Sequence, residues 1–234
     1  MNFGHQAKLP GRIGIEIKAF LFDLDGTLVN SESQIFSAVE KTKMELTGLS
    51  ASKEFVSSKI GLPARELFGD LDLSEADLVH AVQVFRSKLS MIKLSQGELF
   101  QGVSEFLTTL KTLEKRLGVA TNKPIKLANQ ALEDTGIAHH FDYVIGADSI
   151  PPKPDPSIIL ACLEYLCVES SEAVMFGDRV EDMQAATKAG VFSIGVTQGP
   201  HDKEILTSAG ANLCFKNFSE IESALLKGEI LENL

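Results

Sequence analysis

The chain has 234 residues, of which 44% are hydrophobic, so it can bury a substantial core and reads as globular. A formal net charge of −10 argues against nucleic acid and anionic membrane surfaces as partners, while leaving room for a small anion at a locally basic site. The longest stretch free of Asp, Glu, Lys and Arg, Ala189 to His201, is too short to span a bilayer; Met1 to Ile17 lacks the apolar run of a signal peptide, and three cysteines without C-x-x-C spacing (Cys162, Cys167, Cys214) suit a reducing compartment, so a cytoplasmic protein is expected.

In chain order, Lys18 to Val29 comes first: an apolar run rich in Phe and Leu that suits a strand buried on both faces, ending in Asp23-Leu24-Asp25-Gly26-Thr27. Residues i and i+2 of an extended segment project to one side, so Asp23 and Asp25 can face one spot while Gly26 lets the chain turn. From about Ser31 to Gln96 the apolar residues Ile35, Val39, Leu46, Phe55, Leu67, Leu78, Val82, Phe85 and Leu89 recur at helical spacing among many charges, which predicts an inserted helical domain joined by two linker crossings. Core residues resume with a helix marked by Val103, Phe106, Leu107, Leu110 and Leu113, then a short strand Leu117 to Ala120 that stops at Thr121-Asn122. A helix from about Pro124 to Thr135, the strand Tyr143 to Gly146, a proline-stiffened loop around Lys153, a helix from Pro156 to Leu166 and the strand Ala173 to Phe176 follow. That strand runs into Gly177-Asp178, and a helix from Asp182 to Ala189 and the strand Phe192 to Val196 complete the pattern. Such alternation predicts an α/β fold: a Rossmann-like parallel-sheet core (residues 1–30 and 99–234) with an all-helical cap inserted at 31–98 and a ligand site beyond the carboxyl ends of the strands.

Three strand ends and one loop gather complementary chemistry. Asp23, Asp25, Asp178 and Asp182 are carboxylates, Thr121 and Asn122 are neutral hydrogen-bonding groups, and Lys153 is a cation. Hard oxygen ligands select Mg²⁺, and a lysine with a threonine can hold phosphoryl oxygens, so the set points to phosphoryl transfer. Each member also has a purely structural reading. Asp23 to Thr27 could be a strand end and an Asx turn, Asp178 a helix N-cap, Asp182 a solvated acid, and Lys153 a loop lysine in water. His139-His140 has no partner at metal-ligand spacing, and neither a P-loop nor a G-x-S-x-G elbow is present.

The four motifs in order resemble the haloacid dehalogenase superfamily, in the branch with a helical cap after the first motif, and most closely its phosphoglycolate phosphatase group; the likeness runs from Phe20 to Phe215. The resemblance implies a Mg²⁺-dependent phosphoric monoester hydrolase acting on a small phosphorylated metabolite. Asp23 would be the nucleophile that becomes an aspartyl-phosphate, and Asp25 would protonate the leaving oxygen and then activate water. Thr121, Asn122 and Lys153 would hold the phosphoryl group. Asp23, the backbone carbonyl of Asp25 and Asp178 would ligate the metal, with Asp182 in support. Ile60 to Leu67 resembles a cap loop facing substrate, which makes Arg65 a candidate for a substrate carboxylate. Arg179 stands where many relatives carry a small hydroxyl residue, and Asn30 where an aspartate is common; Arg179 is expected to point into solvent in preference to the pocket. A phosphosugar phosphatase, a β-phosphoglucomutase-like mutase, or a non-catalytic binding protein on the same fold are the competing readings, and oligomeric state is left open.

Overall fold

A computed structural model describes residues 16–230. The reading of Met1 to Ile17 as lacking a signal peptide's apolar run therefore lies almost wholly outside the described residues. Six strands, β1 (Ala19–Phe22), β2 (Arg116–Thr121), β3 (Tyr143–Gly146), β4 (Ala173–Gly177), β5 (Phe192–Val196) and β6 (Leu213–Phe215), form one all-parallel sheet in the order β3-β2-β1-β4-β5-β6. The nine helices among the described residues are α1 (Glu32–Thr47), α2 (Lys53–Lys59), α3 (Glu75–Ser90), α4 (Val103–Thr112), α5 (Ile125–Asp134), α6 (Ser157–Leu166), α7 (Val180–Ala189), α8 (Lys203–Ser208) and α9 (Phe218–Leu226).

The unbroken apolar run of β1 has its cause in this layering. Phe20 and Phe22 face one side and pack with Phe106 of α4 and Phe218 of α9, while Ala19 and Leu21 face the other, against Cys162 of α6 and Ala185 of α7. Both faces being covered, no position of β1 can be polar until the strand ends. The Phe22 and Phe176 rings stack at 5.0 Å, and Phe106 meets both edge-on. On the opposite face small residues are required: a Cβ at Gly118 would lie 2.5 Å from Cys162 Sγ.

Residues 32–90 contain helices and a short 3₁₀ turn, Ala64–Phe68, and no strand. They bury a separate cluster, with Ile35, Val39, Val56, Phe68, Phe85 and Leu89 among its members, and Leu127 of α5 completes it from the sheet layer. The chain departs and returns side by side. Val29 bridges Leu99, the Asn30 N–H donates to Glu98 O at 2.7 Å, and the Phe100 N–H donates to Leu28 O at 3.1 Å. No helix among the described residues is long and apolar enough to cross a membrane.

Connections run from β1 outward to β2 and β3, then jump to β4 on the other side of β1 and continue to β5 and β6. The reversal opens a crevice at the carboxyl ends of β1, β2 and β4, where a parallel sheet places its ligands.

Candidate active site

Four segments meet in that crevice. Asp23 follows β1 directly, and its N–H donates to Phe176 O at 2.9 Å, so the ladder to β4 fixes the position of its carboxylate. The turn that follows is held by the Gly26 N–H on Val29 O at 2.9 Å, with Gly26 at φ +93, a backbone state open to glycine. Thr121 ends β2, Lys153 sits in the loop after β3, and Asp178 follows β4.

Lys153 occupies the centre. Its ammonium contacts Asp23 Oδ1 at 2.7 Å, Asp182 Oδ1 at 2.6 Å and donates to Ala120 O at 2.8 Å, so all three of its protons are used. Residue exposure is 2%, which removes the solvated-loop reading. Burial alone would lower its pKa, but the charges of Asp182 and Asp23 outweigh it and raise the value, so Lys153 stays protonated.

Asp25 makes a second ion pair with a residue that the sequence reading passed over. The Lys123 ammonium donates to both Asp25 oxygens, at 2.8 and 2.9 Å, and both side chains are buried. The signal was available, since Lys123 stands two residues after Thr121 at a polar strand end.

Asp178 accepts from the Thr27 hydroxyl at 2.6 Å through Oδ1, which leaves Oδ2 without a hydrogen bond among the described residues. It is not a helix N-cap: α7 starts at Val180 with Arg179 at the cap, whose N–H is taken by Asp182 Oδ2 at 3.1 Å. Three glycines crowd these acids. A Cβ at Gly26 or Gly199 would lie 2.5 or 2.0 Å from Asp178 Oδ2, and one at Gly177 would lie 2.4 Å from Asp182 Cβ.

Oxygens of Asp23, Asp178 and Asp182 lie within 4.8 Å of one another and could hold a metal ion, while the Asp25 carboxylate lies outside that group. With all four ionised, the buried carboxylates (Asp23, Asp25, Asp178, Asp182) against two buried ammonium groups (Lys123, Lys153) would leave 4 − 2 = 2 negative charges uncompensated, since Arg179 is matched by Glu181. That deficit and the all-oxygen donor set fit one hard divalent cation. Burial, then the charges of Asp182 and Asp23, raise Asp178 well above the carboxylate range; burial, partly opposed by Lys153, pushes Asp23 up to about 6.

These shifts set an expected pH dependence for the metal-free protein. An acid whose pKa is higher folded than unfolded holds its proton longer in the folded state, so the stability it contributes is lost as pH rises from its unfolded value near 3.8 through its folded value. With EDTA present, the melting temperature of Asp178→Asn should therefore gain on that of wild type as pH rises across that window. Added divalent cation should close the gap by stabilising wild type alone. A gap independent of pH would show that these carboxylates are neutralised in some other way.

Three sequence expectations need correction here. Asn122 is placed at the site but its amide is committed elsewhere: Oδ1 accepts from Lys153 N at 2.8 Å, and Nδ2 donates to Lys153 O at 3.3 Å and Gly61 O at 3.0 Å. The side chain fixes the Lys153 loop and has no donor left over for a phosphoryl group. Arg179 does not point into solvent; it is 5% exposed and reaches the insert. Arg65 is not brought to the crevice. Leu67 and Phe68 of its 3₁₀ turn are buried in the helical cluster, which turns Arg65 outward to pair with Glu75 at 2.9 Å. A cleft between insert and core is instead lined by Asp25, Lys123, Lys59 and Arg86 with an apolar wall that includes Leu62 and Phe85.

Comparison with known proteins agrees with this geometry. The family model for haloacid dehalogenase-like hydrolases matches residues 20–196. A probable phosphatase, IndB, of Dickeya dadantii is 33% identical over 210 residues, covering 87% of this chain and 91% of its own. A phosphoglycolate phosphatase of Colwellia psychrerythraea is 31% identical over 216 residues, covering 88% and 96%. The crystal structure of a predicted phosphatase from Clostridium acetobutylicum superposes with a TM-score of 0.80 at 28% identity, covering 91% and 99%. The expected fold and the expectation of a phosphoric monoester hydrolase both hold against these relatives, and the chain belongs to the haloacid dehalogenase-like hydrolase family.

Proposed function

We propose that the chain is a Mg²⁺-dependent phosphatase that hydrolyses a small phosphomonoester through an aspartyl-phosphate on Asp23, with residues 31–98 acting as a cap. The observation that carries this reading is the division of labour between two buried ion pairs: Lys153 aligns one oxygen of Asp23 and leaves the other without a hydrogen bond among the described residues, while Lys123 holds Asp25 on the side of the cleft. The Asp23 oxygen attacks phosphorus as the ester P–O bond breaks, and the departing oxygen takes a proton from Asp25. Asp25, now a carboxylate, then takes a proton from the water that attacks the acyl phosphate, which frees phosphate and regenerates Asp23. For Asp25 to carry a proton, Lys123 must release one of its oxygens; the ammonium lines the cleft and can turn to an anionic substrate oxygen instead. Asp23, Asp178 and the backbone carbonyl of Asp25 would hold Mg²⁺, with Asp182 bracing Lys153; when bound, the ion offsets charge on the phosphoryl oxygens. Thr121, buried at the end of β2, supplies a hydroxyl to the phosphoryl group.

Free Cys162, buried and pushed up to about 12 by burial, is an inert core thiol, and with Cys167 and Cys214 also free we place the enzyme in the cytoplasm. A screen of phosphorylated metabolites with and without Mg²⁺ tests the activity. Cation-dependent release of phosphate is expected, and phosphoglycolate is the first candidate because curated relatives carry that name. No release from any of them would refute the reading.

Substrate preference divides between two arginines. Both are exposed, but Arg86 lines the cleft and has no ion-pair partner among the described residues, whereas Arg65 is paired with Glu75. On a phosphomonoester bearing a carboxylate, Arg86→Ala should lower kcat/KM about tenfold or more, the worth of a charged hydrogen bond, and Arg65→Ala should stay within about twofold of wild type. The opposite ranking would return Arg65 to the substrate.

A further inference from the structure

The end of α2 and the loop after it present three backbone carbonyls to the sheet edge, and core side chains take all three. Arg179 donates from Nη1 to Ile60 O at 2.7 Å and from Nη2 to Ser58 O at 3.2 Å, and Asn122 donates to Gly61 O at 3.0 Å. Carbonyls at a helix C-terminus lack partners within the helix, so a cation there satisfies them and meets the negative end of the dipole. Both donors are anchored at the reaction centre. The Arg179 N–H rests on Asp182, which holds Lys153 through its other oxygen, and Asn122 grips the Lys153 peptide from both sides. Nε of Arg179 donates to Glu181 at 3.2 Å, so the guanidinium is oriented from the core before the insert meets it. The contact is also built from the other side. Gly61 has φ +85, and a Cβ there would stand 2.6 Å from Arg179 Cδ, so the stem of the arginine fills the space that a side chain at 61 would need.

We propose that Arg179 is a positioning residue, a latch that holds segment 58–61 of the insert against the core and so sets Lys59 and Leu62 in the wall of the substrate cleft. Its catalytic consequence rests on the phosphatase reading above, while the latch itself does not. A small residue at 179 would leave the carbonyls of Ser58 and Ile60 to water and free the segment to swing away. Lysine would keep the charge but lacks the fork that spans two carbonyls.

Lys59 lies between the two latched carbonyls, so trypsin cleavage after it reports release of the segment directly. In Arg179→Ser, cleavage after Lys59 should speed up by about tenfold or more, with cleavage after Lys41 and Lys115 unchanged, and Arg179→Lys should recover part of the protection. Gly61→Ala, which attacks the same contact from the insert, should reproduce the pattern should Arg179→Ser fold poorly. In steady-state assays Arg179→Ser and Gly61→Ala should raise KM by a larger factor than they lower kcat. Unchanged cleavage after Lys59, or equal acceleration at all three sites, would overturn the latch. If wild type releases no phosphate from any ester, the phosphatase reading fails while the cleavage pattern still decides the latch.

Discussion

Asp23→Asn is expected to abolish turnover, by at least about a thousandfold in kcat, while leaving the protein folded, because an amide oxygen is not an anionic nucleophile. Its volume is nearly that of aspartate, and its Oδ1 can still accept from Lys153 at the present 2.7 Å. Stability should not fall in the metal-free state. The site carries more negative than positive charge, and burial already pushes Asp23 up to about 6, so removing its ionisation relieves the folded protein at neutral pH. The two effects together separate a nucleophile from a structural acid. Phosphate release within tenfold of wild type, or a large drop in melting temperature with EDTA present, would contradict the assignment.

Lys153→Met should have the largest combined effect on activity and folding. The ammonium joins three strand ends, through Asp23 after β1, Ala120 in β2 and Asp182 beyond β4, and no solvent reaches it. Methionine fills comparable volume but leaves Asp23 and Asp182 facing each other and Asp178 unscreened. Breaking a buried pair from one side costs about 3–5 kcal/mol, because the remaining charge is left without a partner. Urea unfolding should show a loss of that order at neutral pH, smaller at mildly acidic pH where the acids with raised pKa take up protons. Phosphatase activity should vanish, since the phosphoryl group loses a positive partner in a water-poor site. A loss under about 1 kcal/mol would mean that the two acids are not charged together in the folded protein.

The sequence exposed the parts of this molecule that obey a period or end a strand. β1, β2 and β4 were legible because each is an apolar run closed by a polar residue at the crevice, β3 and β5 as short apolar runs between helical patterns, and observed limits such as Phe192–Val196 match the expected ones. The helical nature of 32–90 was legible from spacing alone. β6 and α8 were not, because three half-buried residues and a six-residue helix are too short to display a period. α9 is different: Phe218, Ile221, Ala224 and Leu225 mark one face behind an Asn217 cap, so the sequence does carry a helical pattern there. Among candidate site residues, Asp23, Asp25, Thr121 and Asp178 could be chosen from strand ends, Asp182 from the helix start after Asp178 and Lys153 from its proline-stiffened loop, whereas the pairings across about a hundred residues, Lys123 with Asp25 and Arg179 with Ile60, follow only from the packing. Arg65 misled because a helix-start arginine in a cap loop looks free until Leu67 and Phe68 fix which way the turn faces.

The most direct measurement asks where the phosphoryl group goes. Asp25→Ala should transfer it to Asp23 yet lack the group that activates water for its removal, so the acyl phosphate should accumulate. Acid quenching during turnover of an activated aryl phosphate, followed by trypsin and mass spectrometry, should place one phosphoryl group on Asp23 within the peptide Ala19 to Lys41, lost on treatment with hydroxylamine. Phosphate released by wild type with no phosphoryl group found on that peptide in either protein, or one carried by a different residue, would contradict the account.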